Sequence, residues 1–292
     1  MTELSKERIR KLGKDVISLI AAGEVIQKPF NVVKELVENS LDAHATNIYV
    51  EISNDLTCLK VRDDGDGIHP KDFSLLCYQH STSKIDTIDD LNSINSFGFR
   101  GEALFSICQV SEQVTITSRQ KQSSIGYSAK FDSNTCSLPN QIECRPCAAN
   151  LGTVIMVQNL FSSKSTKLLK GMEFRKSLSN ENYRNIARLI CCLAVHYLDV
   201  SFSLCKKLAK HMDVNVEKII VDGSLTECQQ RQNRIRSLFG LKNSSFIEIK
   251  ETISFASLHD PPLSSCQFED IIVQSLVSSN NGCLHLDNIQ SL

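Results

Sequence analysis

The sequence predicts an α+β sandwich, with helices layered against a sheet of mostly sequential strands. Three observations point there. Helical patterns at residues 16–26 and 29–43 come first and are followed by short alternating segments at 47–53 and 57–62. Alternation with period two recurs at 113–118, 125–131 and 153–158. An apolar helical run at 183–197 then leads into a further strand pattern at 199–205. With 292 residues, 41% of them hydrophobic, the chain can build one large core or two ordinary ones.

Taken in order, VISLIAAGEVI (16–26) is apolar at helical spacing, and Pro29 suits the first turn of the next helix. NIYVEIS (47–53) alternates as a half-buried strand does, and TCLKVR (57–62) forms a second strand that runs into the loop DDGDGIHP. Helical patterns follow at 70–79 and 86–94, and another at 101–109 opens after FGFRG, starting at Glu102. The strands at 113–118, 125–131 and 153–158 come next. Residues 159–179 are rich in Lys and Ser without a period, and read as a loop. Residues 206–230 are mixed and polar, as a domain boundary is. RQNRIRSLFG (231–240) reads as a short helix ended by Gly240. Beyond about residue 252 periodicity fades into a Ser-rich tail.

Composition narrows the function. A net charge of −1 gives no global basic field for nucleic acid, so any such contact is local or comes through a partner. The charged N-terminus lacks the apolar core of a secretory signal, so the twelve cysteines are expected as reduced thiols in an intracellular compartment. Cys144 and Cys147 form one CxxC without a second pair, which is short of a zinc site. The run from Ile186 to Leu198 holds Arg188 and His196, is too short to span a bilayer, and reads as a buried helix. No membrane partner is expected.

Four segments carry residues suited to chemistry. In VVKELVENSLDA (32–43), Glu35, Asn39 and Asp42 fall at i, i+4 and i+7, on one helix face. That face could simply be solvated, but Asn between carboxylates can share a divalent cation with phosphate oxygens, and a carboxylate one turn away can activate water. In RDDGDGI (62–68) a strand ends in acids and two glycines; an acidic turn and a fragment of a calcium loop are the alternatives to a ligand site. FGFRGEAL (97–104) places glycines before a helix N-terminus, an arrangement that suits phosphate, although an ordinary glycine turn has the same letters. HSTSK (80–84) adds hydroxyls and a cation upstream, and Gly152-Thr153 opens a strand. Gly65, Gly67, Gly98, Gly101 and Gly152 are five of only twelve glycines.

In this order, KELVENSLDA, DDGDGI, TSK, GFRGEAL and LGT, with IAAGEVIQKP (20–29), resemble the motifs of the MutL-homologue DNA mismatch-repair ATPases. These belong to the GHKL superfamily, shared with gyrase B, Hsp90 and histidine kinases. The resemblance runs from about Ile9 to Leu160, and more loosely through 181–207 and 232–249. CRPCAANLGT and NRIRSLFG are most similar to the eukaryotic Mlh1-type subunit. The resemblance implies a GHKL (Bergerat) ATPase sandwich over residues 1–212 and the start of a transducer domain, ribosomal protein S5 domain 2-like, at 213–251. Residues 252–292 form a divergent tail outside the resemblance.

It further implies Mg2+ and ATP as cofactors. Glu35 would be the general base, and Asn39 the residue holding magnesium. Asp63 would accept the adenine amine, supported by Thr153, and Gly67 would admit the nucleotide against the backbone. Thr82, Ser83 and Lys84 would lie beside the phosphates. Gly98, Phe99, Arg100, Gly101 and Glu102 would form the lid. Expected partners are a paralogous subunit in a heterodimer, mismatch-recognition proteins and DNA, in the nucleus, with nucleotide binding driving N-terminal dimerisation. Besides a rearranged Arg/Lys cluster in FSSKSTKLLKGMEFRKS, the chain departs from the family pattern in four places. Asp64 stands where Asn is usual, adding charge near the nucleotide, and His44 stands where Gly is usual. The segment that brings a lysine from the second domain to the γ-phosphate is absent, as is the FINxR strand. The alternatives are therefore a non-catalytic ATP-binding fragment and another GHKL-superfamily ATPase.

Overall fold

The computed structural model describes residues 12–85, 87, 90, 96–98, 101–137, 142–161, 176–206, 214–216 and 227–239. Among these, α1 is Lys14–Val25 and α2 is Pro29–Asp42, leading to β1 (Asn47–Ile52) and β2 (Leu59–Asp63). A 3-10 segment at Pro70–Leu75 stands where a longer α-helix (70–79) is predicted from sequence; Pro70 opens it and His69 caps it by accepting the Lys71 N–H at 3.2 Å. Then come α3 (Ala103–Val110), β3 (Gln113–Arg119), β4 (Gly126–Phe131), β5 (Arg145–Cys147) and β6 (Gly152–Gln158). The chain continues with α4 (Lys176–His196), β7 (Ser201–Lys206), β8 (Val214–Val216) and α5 (Glu227–Phe239).

The strands form one sheet in the order β5-β4-β3-β6-β2-β1-β7-β8. All neighbours are antiparallel except β1 and β7, where Asn47 pairs with Ser201 in parallel. Alternation sorts the residues to two faces. Ile48, Val50, Leu59, Val61, Val114, Ile116, Ile155, Val157, Phe202 and Leu204 are buried on the inner face. Val32, Val33, Leu36 and Val37 of α2 and Ile186, Leu189, Ile190 and Leu193 of α4 belong to the same core. Each such side chain, fully removed from water, contributes about 1.5–3 kcal/mol. The opposite face carries Tyr49, Arg62 and Met156, with the Arg62 guanidinium 5.1 Å from the centre of the Tyr49 ring. This is the predicted sandwich, with its helices on one side.

Helix α4 begins at Lys176, so the Lys- and Ser-rich stretch read as loop gives up its last residues to that helix. The terminal helix begins at Glu227, four residues before its predicted start, and ends at Phe239. Val214–Val216 pairs with β7, and Arg234 of α5 donates to the Ala194 carbonyl (3.0 Å) and the Leu198 carbonyl (3.1 Å) at the end of α4. Most of the helix expected at 86–94, the site candidates Phe99 and Arg100, and the tail 252–292 lie outside the described residues. Among the described residues no single helix is long and apolar enough to cross a membrane.

Candidate functional site

The site grows from the ends of three strands. On the inner face, each strand's apolar column ends in a polar residue: Leu59-Val61-Asp63 on β2, Val157-Ile155-Thr153 on β6 and Val114-Ile116-Ser118 on β3. Register places Ser118 opposite Thr153. The three polar residues thus form a row across the sheet, with Asp63 at the end under Ser40 of α2. Asp63 is only 7% exposed. Its Oδ1 accepts the N–H groups of Gly65 (3.0 Å) and Thr153 (3.1 Å), and its Oδ2 accepts the Ser40 hydroxyl (2.9 Å). A carboxylate has about four acceptor positions, so one remains for a ligand donor. Burial pushes the Asp63 pKa up; the bonds from Gly65, Ser40 and Thr153 oppose it without cancelling it.

Thr153 stands where the sequence puts it, beside Asp63. Its hydroxyl contacts Ser118 Oγ at 2.9 Å, and that Oγ also donates to the Gly152 carbonyl (2.9 Å) and accepts the Ile68 N–H (2.8 Å). Gly67 lies at φ +73°, and a Cβ there would sit 2.4 Å from the Arg119 carbonyl oxygen. Only glycine fits that close approach of two chain segments.

One turn further along α2 lies the second half of the site. Pro29 opens this helix, and Asn31 Oδ1 takes the Lys28 N–H at 2.9 Å. Val32, Val33, Leu36 and Val37 anchor it in the core, leaving Glu35, Asn39 and Asp42 on the rim. The Lys84 ammonium bridges Asn39 Oδ1 (3.2 Å) and Asp42 Oδ2. Asp42 Oδ1 also accepts the Phe97 N–H (3.0 Å), and Oδ2 the Gly98 N–H (3.2 Å). A Cβ built on Gly98 would meet Lys84 Nζ at 3.2 Å and Asn39 Oδ1 at 3.4 Å, so the lid segment lies directly against Asn39. The Glu35 carboxylate is 3.5 Å from Lys34 Nζ, and Lys34 pairs more tightly with buried Glu38 at 2.9 Å. Burial raises the Glu38 pKa, against the opposing Lys34 bond.

Other predicted site residues lie at the rim. Thr82 and Ser83 are exposed, and Thr82 Oγ1 accepts the Lys84 N–H at 3.2 Å. Gly101 has φ +62°, with the Ser81 carbonyl oxygen 2.3 Å from where a Cβ would be. Glu102 is the N-cap of α3 rather than its first helical residue, and its side chain faces His80, with 3.3 Å between Oε1 and Nδ1.

Asp64, where the sequence departs from an expected Asn, keeps its carboxylate charged and engaged at the entry to β1. Its carboxylate takes the N–H groups of Thr46 (2.8 Å) and Asn47 (2.7 Å) together with both their side chains, at the entry to β1. Burial favours its neutral form, but these bonds outweigh burial and hold its pKa below the usual range. His44, where the sequence departs from an expected Gly, has φ +57°.

Sequence reasoning missed Ser40 and Ser118 and left Asp42 without a role. The signals existed. Ser40 continues the Val33-Leu36-Val37 face, and Ser118 continues the buried column of β3, so both are hydroxyls at core positions.

The donor set suits a magnesium-bound adenine nucleotide. A buried carboxylate has an acceptor position left, a cation is already accommodated at Asn39 Oδ1, and the first lid residues lie against Asn39, their N–H groups held by Asp42. Among the described residues no cluster of three or more His, Cys, Asp or Glu side chains gathers as a metal site. Asn39 would instead hold the metal jointly with phosphate oxygens.

Residues 27–160 match the family model described as histidine kinase-, DNA gyrase B-, and HSP90-like ATPase. The chain is 41% identical over 233 residues to the DNA mismatch repair protein MutL of Coxiella burnetii, covering 80% of this chain and 37% of that protein. It is 35% identical over 248 residues to the MutL protein homolog 1 of Schizosaccharomyces pombe, covering 83% and 34%. The structure is similar to the Aquifex aeolicus MutL ATPase domain complexed with ADP, at 26% identity and TM-score 0.53, covering 76% of this chain and 72% of that one. The chain spans little more than a third of the length of these two sequence relatives.

Proposed function

The chain carries a GHKL ATPase domain of the MutL type, and on that premise we propose that it is the ATP-binding switch portion of a DNA mismatch-repair protein. Asp63 and the Ser118–Thr153 row hold the adenine, and Asn39 holds magnesium. The lid from Gly98 to Glu102 and Lys84 close on the phosphates. Magnesium held at Asn39 would offset phosphate charge. Glu35 orients a water and takes its proton, at the slow turnover expected of a switch. Nucleotide binding selects a closed population that dimerises through this region with a paralogous subunit and engages DNA and mismatch-recognition proteins. The match to bacterial MutL is at least as high as that to the yeast homolog, so the Mlh1-type assignment draws on CRPCAANLGT and NRIRSLFG alone.

The observation that carries this reading is the remaining acceptor position on buried Asp63. Asp63→Asn tests it. Asn Oδ1 keeps the Gly65 and Thr153 N–H groups, and its amide can donate to Ser40 Oγ, whose single proton then turns from the carboxylate to the Leu36 carbonyl at 3.1 Å. The variant therefore folds, but it presents a donor to the adenine amine. ADP titration is expected to show affinity reduced about 100-fold or more, since a mismatched buried polar pair costs 1–3 kcal/mol on each side. Unchanged affinity refutes the adenine role.

A further inference from the structure

The Asp42 carboxylate is 7% exposed and takes a cation and two backbone donors. Its partners are Lys84 from the TSK segment and the consecutive N–H groups of Phe97 and Gly98 at the start of the lid. Two successive amides converging on one anion form a small anion nest. Charge-assisted bonds of this kind are about twice as strong as neutral ones. Asp42 is the last residue of α2, a helix fixed in the core by Val33, Leu36 and Val37. The rigid layer is thereby joined to the loop that must meet the phosphates. Through Lys84 it is joined also to Asn39 Oδ1. The hydrogen bonds of Asp63 go to Ser40, Gly65 and Thr153 and those of Asp42 to Lys84, Phe97 and Gly98, so among these bonds the two carboxylates share no partner.

We propose that Asp42 is the positioning residue of the triphosphate end of the site: it fixes the lid entrance and the Lys84 ammonium against Asn39, and so sets the preference for a triphosphate over a diphosphate. This rests on the nucleotide-binding reading above. Without the pin, the lid segment must be ordered by the ligand, and that ordering cost is subtracted from affinity. ADP is gripped mainly at the Asp63 end and has no γ-phosphate to meet the lid.

The test is calorimetric titration of the whole chain, wild type and Asp42→Asn, with ADP and with the non-cleavable triphosphate adenylyl-imidodiphosphate, each with Mg2+. Asn at 42 has the same shape, lacks the charge, and turns a donor toward Gly98 N–H or Lys84. The expected result is ADP affinity within about twofold of wild type and triphosphate affinity lower by about tenfold or more. A purely structural role would lower both together. Phe97→Pro deletes the Phe97 N–H while keeping Asp42 and Lys84, and is expected to move the ratio the same way, so it carries the test if Asp42→Asn does not fold. A wild-type ratio in the folded variants, or equal losses for both ligands, overturns the proposal and leaves the nucleotide site standing. Failure of the wild type to bind either ligand overturns the site and the proposal together.

Discussion

Glu35, Asn39 and Asp42 were legible in the sequence because a helix has one period, and α2 presents all three on its rim. Their partners were not legible, because Lys84 and Gly98 reach them across long sequence separations. Ser118 and Ser40 were readable in principle from alternation and helix facing, yet a serine in an apolar column draws little notice. Two predictions belong to this scale. Glu35→Ala is expected to keep nucleotide affinity and to lower phosphate release about 100-fold or more, the usual worth of a general base, in a steady-state assay with ATP. Equal rates in variant and wild type would remove Glu35 from the chemistry. His44→Gly relieves a side chain held at φ +57°, whose ion-pair partner, Asp66, is itself exposed. It is expected to raise stability by about 0.5–1 kcal/mol, read from the urea midpoint at unchanged m-value.

The elements β1, β2, β3, β4 and β6 followed the period-two pattern, with ends within a residue or two of those read from sequence. Pattern failed where side chains do not decide. Pro70–Leu75 has helical composition but takes the tighter 3-10 turn, and Lys176 starts α4 inside a stretch without apolar period. The polar row closing β2, β6 and β3 has a consequence for pH. Burial holds Asp63 above the ordinary carboxylate range, so the folded state keeps a proton that the unfolded chain has released. Its contribution to stability therefore falls as pH rises from the ordinary carboxylate value through the raised one. Asp63→Asn removes that dependence. The melting temperature of the variant minus that of the wild type is expected to be larger at pH 7 than at pH 4; a difference that grows on acidification would contradict the burial assignment.

At the scale of the molecule, the α+β sandwich was legible from element order, but the strand order was not. Only tertiary packing puts β1 between β2 and β7, antiparallel to one and parallel to the other, because nothing local in NIYVEI distinguishes a parallel from an antiparallel neighbour. That arrangement packs α2 against β1 and β2 and sets Asn39 next to Ser40, whose hydroxyl reaches Asp63 from the other layer. The central claim is that this site binds a magnesium-bound adenine nucleotide. Isothermal calorimetry of the folded wild-type chain with adenylyl-imidodiphosphate and Mg2+, with the guanine analogue as control, tests it directly. The account predicts saturable one-to-one binding of the adenine compound and much weaker binding of the guanine one, whose exocyclic oxygen meets Asp63 as a second acceptor. No heat from either compound, or equal binding of both, would contradict it.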